Sequence, residues 1–271
     1  MSDKKVVTYP GAKSDVHWDG RLCIHIGECG RANNELFIGG RQPWCQPDLV
    51  DPDEVAEVVG RCPSGALTYE RKDGSSREVA DAENVVYVMY NGPLYVRGDL
   101  DVDGAAEDMP GVRFRAALCR CGQSKNKPFC DNSHEEAGFK DYGAVGDSGE
   151  GFEAPGGTLK VGRAPNGPLL LSGNFTIVAA SGRKAWTGKK AALCRCGHSQ
   201  NKPFCDGSHK AASFQAEEQA PLLLVEVLYE AVHHFTILSP VELCQCGWSN
   251  AHRSTETRSA HCQYRKTINI A

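Results

Sequence analysis

The stretch Cys194-Arg-Cys-Gly-His-Ser-Gln-Asn-Lys-Pro-Phe-Cys-Asp-Gly-Ser-His209 determines how the middle of this chain is interpreted. It places three cysteines and one histidine at the spacing C-x-C-x8-C-x3-H. The segment 119–134 has the same spacing, 75 residues earlier. Asn-Gly-Pro-Leu at 91–94 recurs at 166–169 with the same offset. A constant offset across about fifty residues predicts one duplicated unit.

Each copy begins with β-prone runs and continues into the cysteine segment. The runs are 85–90 and 94–96 in the first copy, and 169–171 and 175–178 in the second. Asn-Gly-Pro between such runs is a turn signal. The pattern predicts strands, a cysteine-rich loop and a short helix. Because a unit this small can hardly bury a core alone, we expect the copies to pack together as a pseudo-twofold pair.

The donors and their spacing suit iron or zinc. A C-x-C pair in a turn can bind one iron, and a third cysteine with a histidine four residues later can bind a second. Three cysteines and one histidine also form a structural zinc site. Asp131 and Asp206 are predicted helix N-caps, which would place each histidine in a first helical turn.

The residues Cys205-Asp-Gly-Ser-His209 resemble the CDGSH iron–sulfur family, whose members bind a 2Fe–2S cluster through three cysteines and one histidine. Asn132 stands where that motif has glycine, and asparagine is the next most tolerant residue of a positive φ. By resemblance, the ligands of the two clusters are Cys119, Cys121, Cys130 and His134, and Cys194, Cys196, Cys205 and His209.

A neutral imidazole in place of one thiolate leaves the cluster less negative. We therefore expect a reduction potential above that of plant-type ferredoxins. Protonation of the imidazole competes with iron for the same lone pair. Both clusters should be lost faster as the pH falls below about 6–7.

The first seventy residues contain a second cysteine pattern. Cys23 and Cys29 are followed by Cys62-Pro, which resembles a ferredoxin half-site whose central cysteine is replaced by Ile26. Three thiolates favour a 3Fe–4S cluster. A 4Fe–4S cluster with His25 or Cys45 as the fourth ligand is the alternative.

The segments 62–67 and 41–48 resemble the divergent mono-cluster ferredoxin domain. The resemblance implies that Cys45 is a buried thiol at least as readily as a ligand. Apolar residues at 55, 58 and 59 predict a helix over 53–59 that runs into Cys62.

Near the end of the chain, Cys244-Gln-Cys246 repeats only the opening of the motif. The third cysteine and the histidine should fall at 255 and 259, where Thr255 and Ser259 stand. Cys262 and nearby histidines offer at most an adventitious metal site. We interpret 217–271 as a degenerate or uncertain segment.

The composition excludes several classes of protein. The 271 residues carry a net charge of −4 without a basic block, which argues against duplex-binding proteins. Thirteen cysteines, an odd number, without a visible export signal argue for ligands rather than disulfides. No apolar stretch approaches the ~20 residues of a membrane helix. We expect a soluble, cytoplasmic protein that binds neither nucleic acid nor membrane.

We therefore predict an α+β, β-rich fold: a small ferredoxin-like α/β module followed by a pseudo-twofold pair of CDGSH modules. The predicted domains are 1–75, 84–141, 159–216 and 217–271. The predicted function is non-enzymatic single-electron transfer or redox and iron homeostasis, with a redox partner protein or an apo-acceptor of clusters. Alternatives are a cluster storage or transfer protein, a redox module of a partner oxidoreductase, and a zinc-binding interaction module. No nucleotide loop or nucleophile motif indicates catalysis.

Overall fold

A three-stranded antiparallel sheet and one helix form the N-terminal part of the protein. The computed structural model describes residues 6–72, 74–75, 78–146, 148–152 and 154–216. The sheet order is β1 (Val6–Tyr9), β2 (Ser14–Asp19) and β3 (Leu67–Arg71). Helix α1 (Pro52–Gly60) confirms the predicted helix, and its three valines are fully buried. Proline at the first helical turn fits because its missing N–H has no partner there.

The strands that follow form one seven-stranded sheet within the described residues. In chain order they are β4 (Val85–Val88), β5 (Leu94–Arg97), β6 (Leu100–Val102), β7 (Arg115–Leu118), β8 (Leu159–Arg163), β9 (Leu169–Val178) and β10 (Lys184–Leu193). The sheet path is β6-β8-β9-β4-β5-β7, and β10 pairs with β9. Two four-residue helices, α2 (Ser133–Glu136) and α3 (Ser208–Ala211), complete the copies. The predicted α+β, β-rich class is confirmed.

The two predicted runs of the second copy are one strand, β9, whereas β5 and β6 stay separate in the first copy. The equivalent residues Gly98 and Gly173 mark the bend in both, with φ of 139° and 138°. A Cβ at Gly173 would lie 2.7 Å from the carbonyl oxygen of Thr158. Glycine therefore permits both the dihedral and the close strand approach.

Each copy supplies a strand to the other's half of the sheet. Strand β4 runs parallel to β9, with Val85 opposite Thr176. Strand β6 runs parallel to β8, with Asp101 opposite Lys160. In the repeat, Lys160 is the equivalent of Val85 and Asp101 is the equivalent of Thr176, so the two pairings are equivalent. The shared core contains the fully buried residues Val86, Leu94, Leu159, Phe175 and Ile177.

The N-terminal part packs against the first copy at a glycine contact. Gly65 and Gly111 approach so closely that a Cβ on either would overlap the other's backbone. The Arg115 guanidinium donates to the Leu67 carbonyl at 3.0 Å. All described residues belong to one compact unit, 1–219.

The interpretation of 217–271, including Cys244, Cys246 and Cys262, lies outside the described residues. In the part of the chain that the structure describes, no helix has the length and apolarity to span a membrane.

Candidate metal centres

A short ladder brings the cysteines of the first CDGSH segment side by side. The Cys119 amide donates to Pro128 at 2.8 Å, and the Cys130 amide donates to Ala117 at 2.8 Å. The cysteine loop thereby folds back on the end of β7. The second segment has the equivalent bonds, from Cys194 to Pro203 at 2.7 Å and from Cys205 to Ala192 at 2.8 Å.

The four donors of each segment fall into two close pairs. In the first segment, the Cys119 and Cys121 sulfurs are 3.7 Å apart, and the Cys130 sulfur is 3.5 Å from His134 Nδ1. In the second segment, the same two distances are 3.7 Å and 3.4 Å. No group of three or more histidine, cysteine or acidic side chains among the described residues is placed to hold a single metal ion.

Backbone amides point at three of these sulfurs. The N–H groups of Gln123 and His198 donate to Cys121 and Cys196, each at 3.4 Å, and Asn132 donates to Cys130 at 3.4 Å. Such hydrogen bonds stabilise thiolates and are among the factors that set the potential of a cluster.

Asp131 and Asp206 precede the helices, but they are not the N-cap residues that the sequence predicted. The cap positions are Asn132 and Gly207, both left-handed, with φ of 71° and 88°. The expected tolerance of asparagine for this dihedral is confirmed. Asp131 instead accepts the amides of Ser133 and Lys125, at 3.0 and 2.8 Å, and ties the loop to the helix start.

The arginines between the paired cysteines are functional candidates that the sequence analysis missed. Arg120 and Arg195 are each 1% exposed. Arg120 donates to the Gly92 carbonyl at 2.7 Å, pairs with Asp141 at 2.5 Å, and lies 5.1 Å from the Phe139 ring centroid. The sequence could have identified them, because an arginine lies between the paired cysteines in both copies. The positive charge of Arg120 adds to burial in lowering the pKa of His134.

Burial also acts on the titratable donors. It raises the pKa of the Cys130 thiol to about 12 and lowers the pKa of His134. Between Cys119 and Cys121, the hydrogen bond that joins the two sulfurs lowers the pKa of Cys119 and raises the pKa of Cys121. Without metal, the Cys121 and Cys130 thiols of the first segment are therefore protonated at neutral pH, so metal binding there must release protons.

The two cysteine loops touch each other. The backbones of Cys121 and Cys196 form an antiparallel bridge. A Cβ at Gly122 would lie 2.5 Å from the Cys196 carbonyl oxygen, and one at Gly197 would lie 2.6 Å from that of Cys121. The glycine after each C-x-C motif therefore lets the two candidate centres sit side by side.

The N-terminal donors meet around a separate cavity of about 350 Å³. Cys23, Cys29, Cys62 and His25 all line it, and the His25 Nδ1 is 3.9 Å from the Cys23 sulfur. Ile26, at the position of the missing cysteine, is 48% exposed. The structure thus brings together the three predicted thiols and one of the two alternative fourth donors.

Cys45, the other alternative, does not line this cavity. It is 1% exposed in the core and lines a different cavity, together with Tyr9 and Pro43. Burial raises the pKa of its thiol to about 12. Its surroundings are those of a small core residue.

Comparisons with known proteins identify both kinds of segment. The family described as "Iron-binding zinc finger CDGSH type" matches residues 91–135 and 166–210. The family described as "Divergent 4Fe-4S mono-cluster" matches residues 9–72. "Uncharacterized protein YjdI" of Escherichia coli K12 is 47% identical over 64 residues, which cover 24% of this chain and 84% of that protein. The protein of the same name in Escherichia coli O157:H7 gives the same values. No solved structure matches the chain.

Proposed function

The chain belongs to the CDGSH family of iron-binding proteins, with a divergent 4Fe–4S mono-cluster domain ahead of its two CDGSH domains, and from this we propose that it holds three iron–sulfur centres and passes single electrons. Iron–sulfur centres supply one-electron oxidation and reduction when bound. The protein's contribution is to hold the donors, set their charge and limit the access of water.

The pairing of donors carries the proposal for the two CDGSH sites. A zinc ion needs four donors around one point, with sulfurs about 3.8 Å apart if each Zn–S bond is about 2.3 Å. Here the 3.7 Å spacing of Cys119 and Cys121 fits two ligands of one metal, and Cys130 and His134 form a second such pair, but among the described residues no three donors are placed around one point. Two pairs fit two irons, which favours 2Fe–2S over zinc in both copies. The ligands are Cys119, Cys121, Cys130 and His134, and Cys194, Cys196, Cys205 and His209.

For the N-terminal site we propose a cuboidal cluster held by Cys23, Cys29 and Cys62 in a ferredoxin-like module. His25 is the proposed fourth donor, because it shares the cavity with all three thiols whereas Cys45 does not. A fourth donor favours 4Fe–4S over 3Fe–4S. Replacing His25 with alanine should then convert the centre to 3Fe–4S, visible as an EPR signal in the oxidised protein.

We further propose that a pseudo-twofold axis relates the two CDGSH copies within one chain. The reciprocal pairings of β4 with β9 and of β6 with β8 support this. So does the bridge between Cys121 and Cys196, because a contact between equivalent residues is what a twofold axis produces.

Cluster transfer to an apo-acceptor is a second candidate function, favoured by the uneven burial of the second site. Cys194 and Cys196 are buried, whereas Cys205 and His209 are partly exposed. The outer iron would thus be held by the accessible pair. Incubation with an apo-ferredoxin separates the functions: a transfer protein loses iron to the acceptor, and an electron carrier cycles under dithionite with its iron retained.

The deciding experiment is iron and acid-labile sulfide analysis with EPR on anaerobically purified full-length protein. We expect about eight irons per chain and two kinds of reduced signal, from 2Fe–2S and 4Fe–4S centres. A colourless protein with zinc in the two CDGSH sites would contradict the proposal.

A further inference from the structure

Asn132 connects the N-terminal site to the first CDGSH site through two hydrogen bonds. Its backbone N–H donates to the Cys130 sulfur at 3.4 Å, and its side-chain Nδ2 donates to the Ile24 carbonyl at 2.9 Å. Ile24 directly follows Cys23 in the chain. A continuous path of covalent bonds and two hydrogen bonds therefore runs between candidate ligands of different centres.

The surroundings of this path are closely packed. Ile24 is 3% exposed and shares a small apolar cluster with Tyr95, Ala117 and Cys130. Tyr95 is 9% exposed and packs in the same cluster as Cys130, a candidate ligand of the first CDGSH site. The apolar cluster thus packs around Ile24, whereas Asn132 itself is partly exposed.

A second asparagine holds the same contact. Asn126 Nδ2 donates to the Arg21 carbonyl at 2.8 Å. Two side-chain amides of the first CDGSH segment thus donate hydrogen bonds to the loop 21–25.

The second CDGSH site lacks the counterpart of Asn132. Gly207 stands at that position and has no side chain, and Asn201, the equivalent of Asn126, is exposed. Among the described residues, nothing lies within 4 Å of a Cβ built at Gly207. The left-handed dihedral is shared by both copies, so backbone geometry does not explain why the first copy has asparagine. The hydrogen bond from the Asn132 side chain to the Ile24 carbonyl explains the asparagine.

We propose that Asn132 is a positioning residue that couples the N-terminal centre electronically to the first CDGSH centre, so that one electron passes directly between them within the chain. The step makes and breaks no bond and moves no proton: one centre is oxidised by one electron and the other is reduced by one. The backbone bridge between Cys121 and Cys196 would connect the second CDGSH centre to the same path. This inference rests on the proposed function.

The test uses full-length protein and two substitutions at this position. Asn132→Gly gives the first site the residue that the second site already has, so we expect its iron to be retained. Asn132→Asp keeps the size of the side chain and replaces the NH2 donor with a carboxylate oxygen. The matched control is Gly207→Asn. Each protein is reduced with dithionite at one electron per chain and frozen at increasing times, and EPR follows how the electron redistributes.

Iron and sulfide content, measured on the same samples, tests the proposed function separately. With full iron content, we expect the wild type and Gly207→Asn to redistribute the electron at equal rates, and both Asn132 variants to lose this fast phase. Fast redistribution in both variants would overturn the inference. So would fully loaded wild-type protein whose reduced N-terminal and first-site signals show no spin–spin interaction.

Discussion

At the residue scale, Arg120 is a buried positive charge that acts on His134, a candidate ligand of the first CDGSH site. Its guanidinium is satisfied by two carbonyls and by Asp141, so the charge is held in place rather than solvated. Burial lowers the pKa of His134, and the positive charge of Arg120 lowers it further, whereas Glu135 raises it. Arg120 therefore favours the neutral imidazole, which is the form that can bind a metal.

His134 should control the acid sensitivity of the first site. Burial lowers the pKa of this imidazole below 6.5, so its lone pair remains free for iron at and above that pH. Protonation at lower pH competes with the metal, and we expect cluster loss as the pH falls below about 6.5. His134→Cys should slow this loss, measured as the decay of visible absorbance. Equal decay rates in the wild type and His134→Cys would show that this histidine does not control the acid sensitivity of the first site.

Cys45 should behave as a core residue. Cys45→Ala removes one buried sulfur, and we expect it to lower the free energy of unfolding by about 1–2 kcal/mol while iron content stays unchanged. Cys23→Ser should instead lose the iron of the N-terminal centre. Thermal midpoints and iron analysis check both variants. Iron loss in Cys45→Ala would identify this thiol as a ligand.

At the element scale, the contact between the two cysteine loops depends on glycine. Gly197 has a φ of 84° and faces the Cys121 carbonyl, whereas Gly182, in the turn between β9 and β10, has a φ of 82°. No described atom lies within 4 Å of a Cβ built at Gly182. The two positions thus share the cost of a positive φ and differ in available space.

Gly197→Ala should therefore destabilise the protein more than Gly182→Ala, by about 1–3 kcal/mol, because its Cβ would force the two loops apart. Thermal midpoints of the two variants, measured by circular dichroism, provide the comparison. Equal shifts would show that the loop contact adds no stability beyond the backbone dihedral.

At the scale of the whole molecule, the fold gathers three candidate ligand sets in one compact unit. The strand exchange between copies joins the two CDGSH sites, and the glycine contact at Gly65 and Gly111 fixes the N-terminal part to the first of them. One chain can therefore hold its centres in a fixed order.

An EPR-monitored redox titration should resolve the CDGSH centres from the N-terminal one. One neutral histidine per cluster and the amides that point at Cys121, Cys130 and Cys196 should raise their potentials above the about −400 mV of plant-type ferredoxins. His209→Cys should lower the potential of the second centre alone. Potentials at or below the plant-type value in the wild type would contradict the assigned ligands.

The amino-acid sequence by itself predicted the repeat, one helix, the fold class and the candidate donor sets. The repeat at an offset of 75, the helix predicted over 53–59, the β-rich class and the tolerance of Asn132 for a positive φ all followed from spacing and local conformational preference. These features depend on interactions between residues close in the chain, which is why sequence patterns capture them.

Only the tertiary structure decided which donors and elements meet. Cys45 and His25 were equal alternatives in the sequence, and their separation into core and cavity depends on how distant segments pack. The link from Asn132 to Ile24 joins residues 108 apart, and the bridge between Cys121 and Cys196 joins residues 75 apart. Contacts over such separations form when strands exchange and domains dock, and no local pattern specifies them.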